Sequence, residues 1–371
     1  MKQNAANIYR DPVLGKQLIE AIHKQADKFM QKHGRKLNLM EVCGTHTVSV
    51  SKAGLRDVFR EQIEFISGPG CPVCVTGHED IDYMIELAKQ PEVILCTFGD
   101  MMRVPGSYSS LAEEKANGHD IQVLYSPLEA LDIAEANPTK KVIFLAVGFE
   151  TTTPAIAATI DMAAKRAISN YYVYTVHKVC PPVIKLLFND PKLKIDGLLL
   201  PGHVAAIVGR KALEFIADEY KIPSSIAGFE PLDILAGIFD IIRMINNDEA
   251  NVTNQYLRVV TEDGNVAAQQ MIDTYFKITD SKWRGIGNIP DSGLVLRPEF
   301  KHYDARTLFD ITVSDSPKTK GCRCGEVLSG HIKPTDCGHF ARSCTPVSPV
   351  GPCMVSYEGT CATYYKYERK V

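Results

Sequence analysis

The chain has a single tryptophan among 371 residues, no long apolar run and no excess of either charge. The run closest to a membrane span, GLLLPGHVAAIVG at 197–209, is broken by Pro201 and His203 and falls short of the ~20 apolar residues a bilayer requires. A net charge of -3 with interspersed signs provides no basic footprint for nucleic acid or an anionic membrane. Neither a G-x-x-x-x-G-K-[ST] phosphate loop nor a G-x-G-x-x-G fingerprint occurs, so nucleotide binding lacks its usual signature. The opening MKQNAANIYRDPVLGKQ has no apolar core of a secretory leader, and a cytoplasmic setting is expected, where thiols stay reduced unless they are catalytic or bind metal. Eleven cysteines, an odd number, argue against a framework of structural disulfides alone.

What is present is a repeating texture of short apolar segments, each ending in a polar or glycine-rich loop. The segments are 37–42, 63–66, 93–98, 121–125, 141–147, 171–176, 197–200 and 225–229. Continuous apolar runs alternating with helical patterns predict α/β units with parallel sheets, buried on both faces. Ligands in such sheets gather beyond the carboxyl ends of the strands, and the polar oddities lie there: CGTHT, SGPGCPVC, FGDMMRVPGS, GFETTTP, PGHV and GFEP. Leu18, Ile22, Ala26 and Phe29 fall at helical spacing, with Asp11-Pro12 as a start and Gly34 as a stop, so a helix is expected over 12–33. The length exceeds what one core usually organises. The expected division is an N-terminal helix (1–36) packing on the C-terminal region, two α/β domains facing a cleft (37–130 and 131–250), and a C-terminal cysteine-rich domain (251–371). Gly148-Phe149-Glu150 and Gly228-Phe229-Glu230 repeat one triplet and hint at internal similarity.

Six cysteines crowd the last fifty residues, and Cys324, Cys337, Cys344 and Cys361 follow a C-x12-C-x6-C-x16-C spacing. Four thiolates suit a [4Fe-4S] cluster or a structural zinc; the paired knuckles usual for zinc are absent. The segment from Pro317 onward has few aliphatic residues and would need such a centre as a staple. Cys322 and Cys353 are either a reversible pair beside it or inert thiols. Cys71 and Cys74 form a C-x-x-C dithiol whose position at a helix start favours exchange chemistry, although half of a zinc knuckle completed by His78 fits the same residues. Gly68, Pro69, Gly70 and Pro72 stiffen that loop and permit close approach of its backbone to a ligand. Cys43 and His46 in EVCGTHT could share a metal or form a nucleophilic pair, or be a small buried thiol beside a capping threonine. Asp100, Glu150, Glu230 and His203 complete the loop set as acid-base candidates, the two glutamates being equally suited to helix N-termini. His177, Cys96 and Cys180 read as core or sheet-edge residues.

Taken together, EVCGTHT, SGPGCPVCVTG, GFETTTPA, PGHVAAIVG, GFEPLDIL and the ending GCRCGEVLSGHIKPTDCGHF…CTPVSPVGPCMVSYEGTCATYYKY resemble, in order and over essentially the whole chain, the HypD family of hydrogenase maturation factors. The resemblance implies two parallel-sheet α/β domains and a third carrying a [4Fe-4S] cluster. It implies a scaffold on which the Fe(CN)2CO group of [NiFe]-hydrogenases is assembled with a small HypC-type chaperone. Cyanide would come from a HypE-type partner, with a HypF-type carbamoyltransferase upstream. By motif, Cys43 would hold the iron with His46 beside it, and Cys71 and Cys74 would be the redox dithiol. Cys324, Cys337, Cys344 and Cys361 would bind the cluster, with Cys322 and Cys353 as a relay and Glu358 nearby. A reading from another class is a free-standing dithiol oxidoreductase, which would have no need of Cys43.

Overall fold

The computed structural model describes residues 9–313 and 321–369. The reading of the first eight residues as non-secretory and the Pro317 start of the cysteine-rich segment lie outside them. The first parallel sheet contains β1 (Leu37–Glu41), β2 (Ile63–Ser67), β7 (Gly197–Pro201), β8 (Ser224–Ala227) and β9 (Val252–Asn254), in the order β2-β1-β7-β8-β9. The second contains β3 (Val93–Thr97), β4 (Ile121–Val123), β5 (Lys141–Ala146) and β6 (Tyr171–Thr175), in the order β4-β3-β5-β6. Every pairing within both sheets is parallel. All eight expected strands form, and the fold is α/β.

The chain does not divide at 130 and 250 as expected. It lays down β1 and β2, builds the whole second sheet, and then returns to finish the first, so residues 93–175 are inserted between the two parts of one sheet. Apolar periodicity reports that a strand exists; which strand it pairs with depends on long-range contacts that periodicity does not carry. The helix Pro12–His33 forms with the expected ends: the Asp11 carboxylate accepts from the N–H groups of Val13 and Leu14 at 2.8 and 3.2 Å, and Gly34 takes φ +67°. It packs on the helix Pro231–Asn246 of the first sheet's layer, not on the C-terminal region. Ile22, Ala26 and Phe29 are buried there with Ile234, Leu235 and Ile238, the apolar faces of two amphipathic helices closing on each other.

Two elements were not expected. β9 is too short to register as a run, and β10 (Phe276–Trp283) pairs antiparallel with β11 (Gly287–Leu296) in a hairpin rich in polar residues. This hairpin touches both sheets' loops, bridging Thr76 to Trp283 and Lys178 to Gly293. The lone tryptophan, Trp283, is buried there; its indole N–H donates to Ser292 Oγ at 2.8 Å and its ring stacks on Phe149 at 5.9 Å. The tail 321–369 is mostly short helical turns. It is tied down by Arg56, which ion-pairs with buried Glu41, lies 3.7 Å from Glu368 and sits over the Tyr364 ring at 5.0 Å. Among the described residues no helix is long and apolar enough to cross a membrane.

Candidate functional site

In both sheets the strand order reverses direction beside the first strand, between β1 and β7 in one and between β3 and β5 in the other. Such switch points open crevices at the carboxyl ends. Cys43 lies at the first. It is 8% exposed and caps the helix Gly44–Lys52, where the backbone N–H groups of His46 and Thr45 face its sulfur. Burial nevertheless dominates and pushes the thiol up to about 11, so without a cation beside it Cys43 is a thiol.

The dithiol loop packs directly on Cys43. The Gly44 N–H donates to the Gly70 carbonyl at 3.1 Å, and a Cβ at Gly70 would run into the Cys43 backbone. The close approach made at Gly70 is to the Cys43 backbone. Cys71 and Cys74 are joined as a disulfide with a Cα–Cα distance of 5.2 Å. His78 faces the Arg284 guanidinium at 3.3 Å, and half of a zinc knuckle does not describe this arrangement.

His46 is fully buried. Its Nε2 lies 2.9 Å from the Gly228 carbonyl and 3.2 Å from that of Ala227, which fixes the proton on Nε2 and leaves Nδ1 a lone-pair acceptor with no protein partner. Burial lowers its pKa to about 4, so the ring is neutral. Phe229 stacks between His46 and His203, at 4.8 and 4.0 Å. From the tail, Glu358 accepts from the Thr45 hydroxyl at 2.6 Å, and a Cβ at Gly44 would come within 2.8 Å of Glu358 Cβ. Cys43, His46, Glu358 and the 68–74 loop thus converge.

The second switch point is furnished differently. Glu150 is 4% exposed; one carboxylate oxygen accepts from the Cys180 N–H at 2.7 Å and the other has no protein partner. Burial raises its pKa. The Cys180 thiol is pushed well up, first by burial and then by Glu150, and it is close enough to Cys43 for that charge to bear on it. Cys180, read from sequence as a core residue, therefore belongs to the wall of the site. It is the first residue of the helix Cys180–Phe188 that follows β6, with Pro181 and Pro182 next in the chain. Glu230, in contrast, caps the helix Pro231–Asn246 and pairs with exposed Arg10. The two GFE triplets follow the third strand of one sheet and the fourth of the other, so they are not equivalent parts of a duplicated unit. Asp100 is committed to Ser356, whose hydroxyl donates to it at 2.8 Å. His177 is buried against Thr175, and Cys96 is core.

All six C-terminal cysteines line one hollow. Cys322 and Cys324 share a thiol hydrogen bond that holds Cys324 below and Cys322 above the ordinary range, and Cys353 is raised by its hydrogen bond with Cys361 and by burial. Among the described residues no three His, Cys, Asp or Glu side chains converge at the spacing of a single metal ion. A cuboidal cluster spreads its thiolates more widely, and an all-cysteine donor set is the one such clusters use. The Cys74 sulfur lies 4.0 Å from the Pro352 carbonyl, so the dithiol abuts the residue before Cys353. Cys71, Cys74, Cys324 and Cys353 share one buried cluster with Trp283.

Fold and site define an α/β protein in which the Cys71–Cys74 loop packs on Cys43 on one side and on the cysteine-rich tail on the other. The family model HypD, described as "Hydrogenase formation hypA family", matches residues 14–368. The chain is 43% identical over 367 residues to the hydrogenase maturation factor HypD of Rhodobacter capsulatus, covering 98% of this chain and 97% of that protein. It is 44% identical over 366 residues to the factor of that name in Escherichia coli K12, covering 98% and 97%. A putative hydrogenase expression/formation protein of Methanocaldococcus jannaschii is 42% identical over 359 residues, covering 97% and 98%. The chain belongs to the HypD family.

Proposed function

We propose that this protein, a hydrogenase maturation factor, is the scaffold on which an iron centre bearing cyanide and carbon monoxide is assembled before insertion into a [NiFe]-hydrogenase. The observation that carries this reading is the packing of the Cys71–Cys74 loop on Cys43 at the switch point of the first sheet. Low-spin, electron-rich iron suits a soft thiolate anchor, and the buried Cys43 supplies one once the metal displaces its proton. The remaining ligation would come from a cysteine of a HypC-type chaperone. His46 Nδ1, Thr45 and Glu358 border the anchor and would orient the incoming ligands.

Cyanide arrives as a thiocyanate on a HypE-type partner, itself charged by a HypF-type carbamoyltransferase. Releasing it cleaves the S–C bond and needs two electrons. The reduced Cys71/Cys74 dithiol provides them, so that dithiol and thiocyanate yield the Cys71–Cys74 disulfide, the partner's thiol, and cyanide with a proton; the iron takes the cyanide and the proton is released. Cys324, Cys337, Cys344 and Cys361 would hold a [4Fe-4S] cluster, which when bound supplies reducing equivalents one at a time. Cys322 and Cys353 lie in the same hollow, and Cys353 adjoins the dithiol through Pro352, which supports them as the exchange pair that returns Cys71 and Cys74 to the dithiol.

The test is anaerobic infrared spectroscopy of the protein co-purified with its small chaperone. Cyanide and carbon monoxide stretching bands in the wild type that vanish in Cys43→Ala support the scaffold. A wild type with chaperone bound and no bands would shift the reading to a dithiol oxidoreductase. Wild-type cyanide uptake by Cys71→Ala and Cys74→Ala would remove the dithiol step.

A further inference from the structure

Arg284 is 3% exposed, at the tip of the β10–β11 hairpin. Its Nε donates to the Thr76 carbonyl at 2.9 Å, its Nη1 lies 3.3 Å from His78 Nε2, and its Nη2 has no protein partner. No carboxylate among the described residues lies within ion-pair distance of it. A buried cation is retained only where a countercharge balances it, since desolvating a lone charge costs several kcal/mol.

The surroundings supply a candidate countercharge. The hairpin tip is wedged between the dithiol loop and the cysteine hollow. On one side the Arg284 N–H donates to the Val75 carbonyl at 2.8 Å. On the other, Gly285, at φ +71°, is in backbone contact with Gly325, where an added Cβ would come within 2.6 Å of Gly285 Cα. That places Arg284 beside Cys324. Burial pushes the guanidinium down from its ordinary range, and the groups that pull it back are, in order, Cys324, Cys322, Cys353 and Asp82. Asp82 acts on it least and accepts from the Ser107 N–H and hydroxyl at 2.7 and 2.6 Å, so the strongest negative charge beside the guanidinium is that of cysteine thiolates.

We infer that Arg284 is the countercharge of the C-terminal thiolate centre and a positioning residue for it, favouring its reduced state and pinning the dithiol loop against it. The inference rests on the [4Fe-4S] reading above and deepens it. Reduction adds one negative charge to a cluster that is already anionic, and a desolvated cation alongside stabilises the more negative state, which raises the potential. The Thr76 and Val75 hydrogen bonds make the same residue a strut between the two redox sites.

Arg284→Gln removes the charge and keeps a planar donor; Arg284→Lys keeps the charge. Each is purified anaerobically as the full chain, its iron, sulfide and EPR spectrum are measured, and its midpoint potential is titrated. The expected result is a Gln variant that carries the cluster but is harder to reduce, its equilibrium shifted at least tenfold, about 59 mV lower for one electron, with Lys within threefold of wild type. Loss of the cluster in Gln with a wild-type midpoint in Lys also supports the inference. It is overturned if the Gln midpoint stays or rises, if both variants shift alike, or if both lose the cluster. A wild type without iron and sulfide defeats the cluster reading itself, recognisable before any variant is made, and the inference falls with it.

Discussion

The two sheets share a winding, with a first strand flanked by the second on one side and the third on the other, yet their crevices differ in chemistry. At the β1/β7 crevice a thiol is held against a disulfide loop, a neutral histidine and a carboxylate from the tail. At the β3/β5 crevice the protein fills the space itself: Glu150 is bonded to the Cys180 N–H, and Phe149 is stacked under Trp283. Topology offers a ligand position twice, and side chains furnish one with thiols and fill the other with Glu150 and Phe149.

The sharpest way to break this comparison is to exchange the key side chains. Cys43→Ser is expected to abolish co-purifying iron and its infrared bands, whereas Glu150→Gln, which keeps an oxygen for the Cys180 N–H, retains both; loss of the bands in Glu150→Gln would put the second crevice inside the reaction. Next come the glycines. Gly70→Ala forces a methyl into the Cys43 backbone and is expected to cost about 3 kcal/mol in denaturant unfolding. Gly99→Ala, beyond β3, meets only a Val123 methyl at 3.6 Å and should stay within about 0.5 kcal/mol.

Glu150→Ala leaves the buried Cys180 N–H unpaired and should destabilise by about 2 kcal/mol, with Glu150→Gln costing about half of that or less. Equal losses in the two variants would mean that the carboxylate charge, not the hydrogen bond, matters. The last effect is absent at neutral pH and appears only on acidification. His46 and His177 are buried neutral, with pKa values lowered by burial to about 4 and about 3. Because the unfolded state binds their protons from about pH 6.5 downward and the native state does not, stability is full above that pH and falls as pH drops toward the folded values. His177→Gln should flatten the stability profile by about 1.4 kcal/mol per pH unit between about pH 6 and 4, the contribution of one proton. An unchanged slope would show that His177 takes up its proton in the native state.

Much of this was readable beforehand. The eight strands were visible because their residues are buried on both faces and form unbroken apolar runs, and Pro12–His33 because Asp11, Pro12 and Gly34 mark its ends. The hairpin at 276–296 was missed since polar residues such as Lys277, Asp280, Asn288 and Asp291 leave no apolar run, and what anchors it is the burial of Trp283 and Phe276 against distant segments. Arg284 carries no signal for the same reason, and Cys180 reads only as core, as its burial bears out: nothing local in VHKVCPPV or WRGIG announces a neighbour 100 or more residues away.

By itself the sequence determined the α/β class, the strand ends that carry Cys43, Cys71, Glu150 and His203, and the gathering of six cysteines in the tail, because apolar periodicity and residue type are local properties. Tertiary structure decided that residues 93–175 interrupt the first sheet, that Gly70 rests on Cys43, that Glu358 reaches Thr45, and that Arg284 lies between dithiol and cysteine hollow. Those are choices among long-range contacts, which only the closing of two sheets, a hairpin and the tail onto shared cores can make.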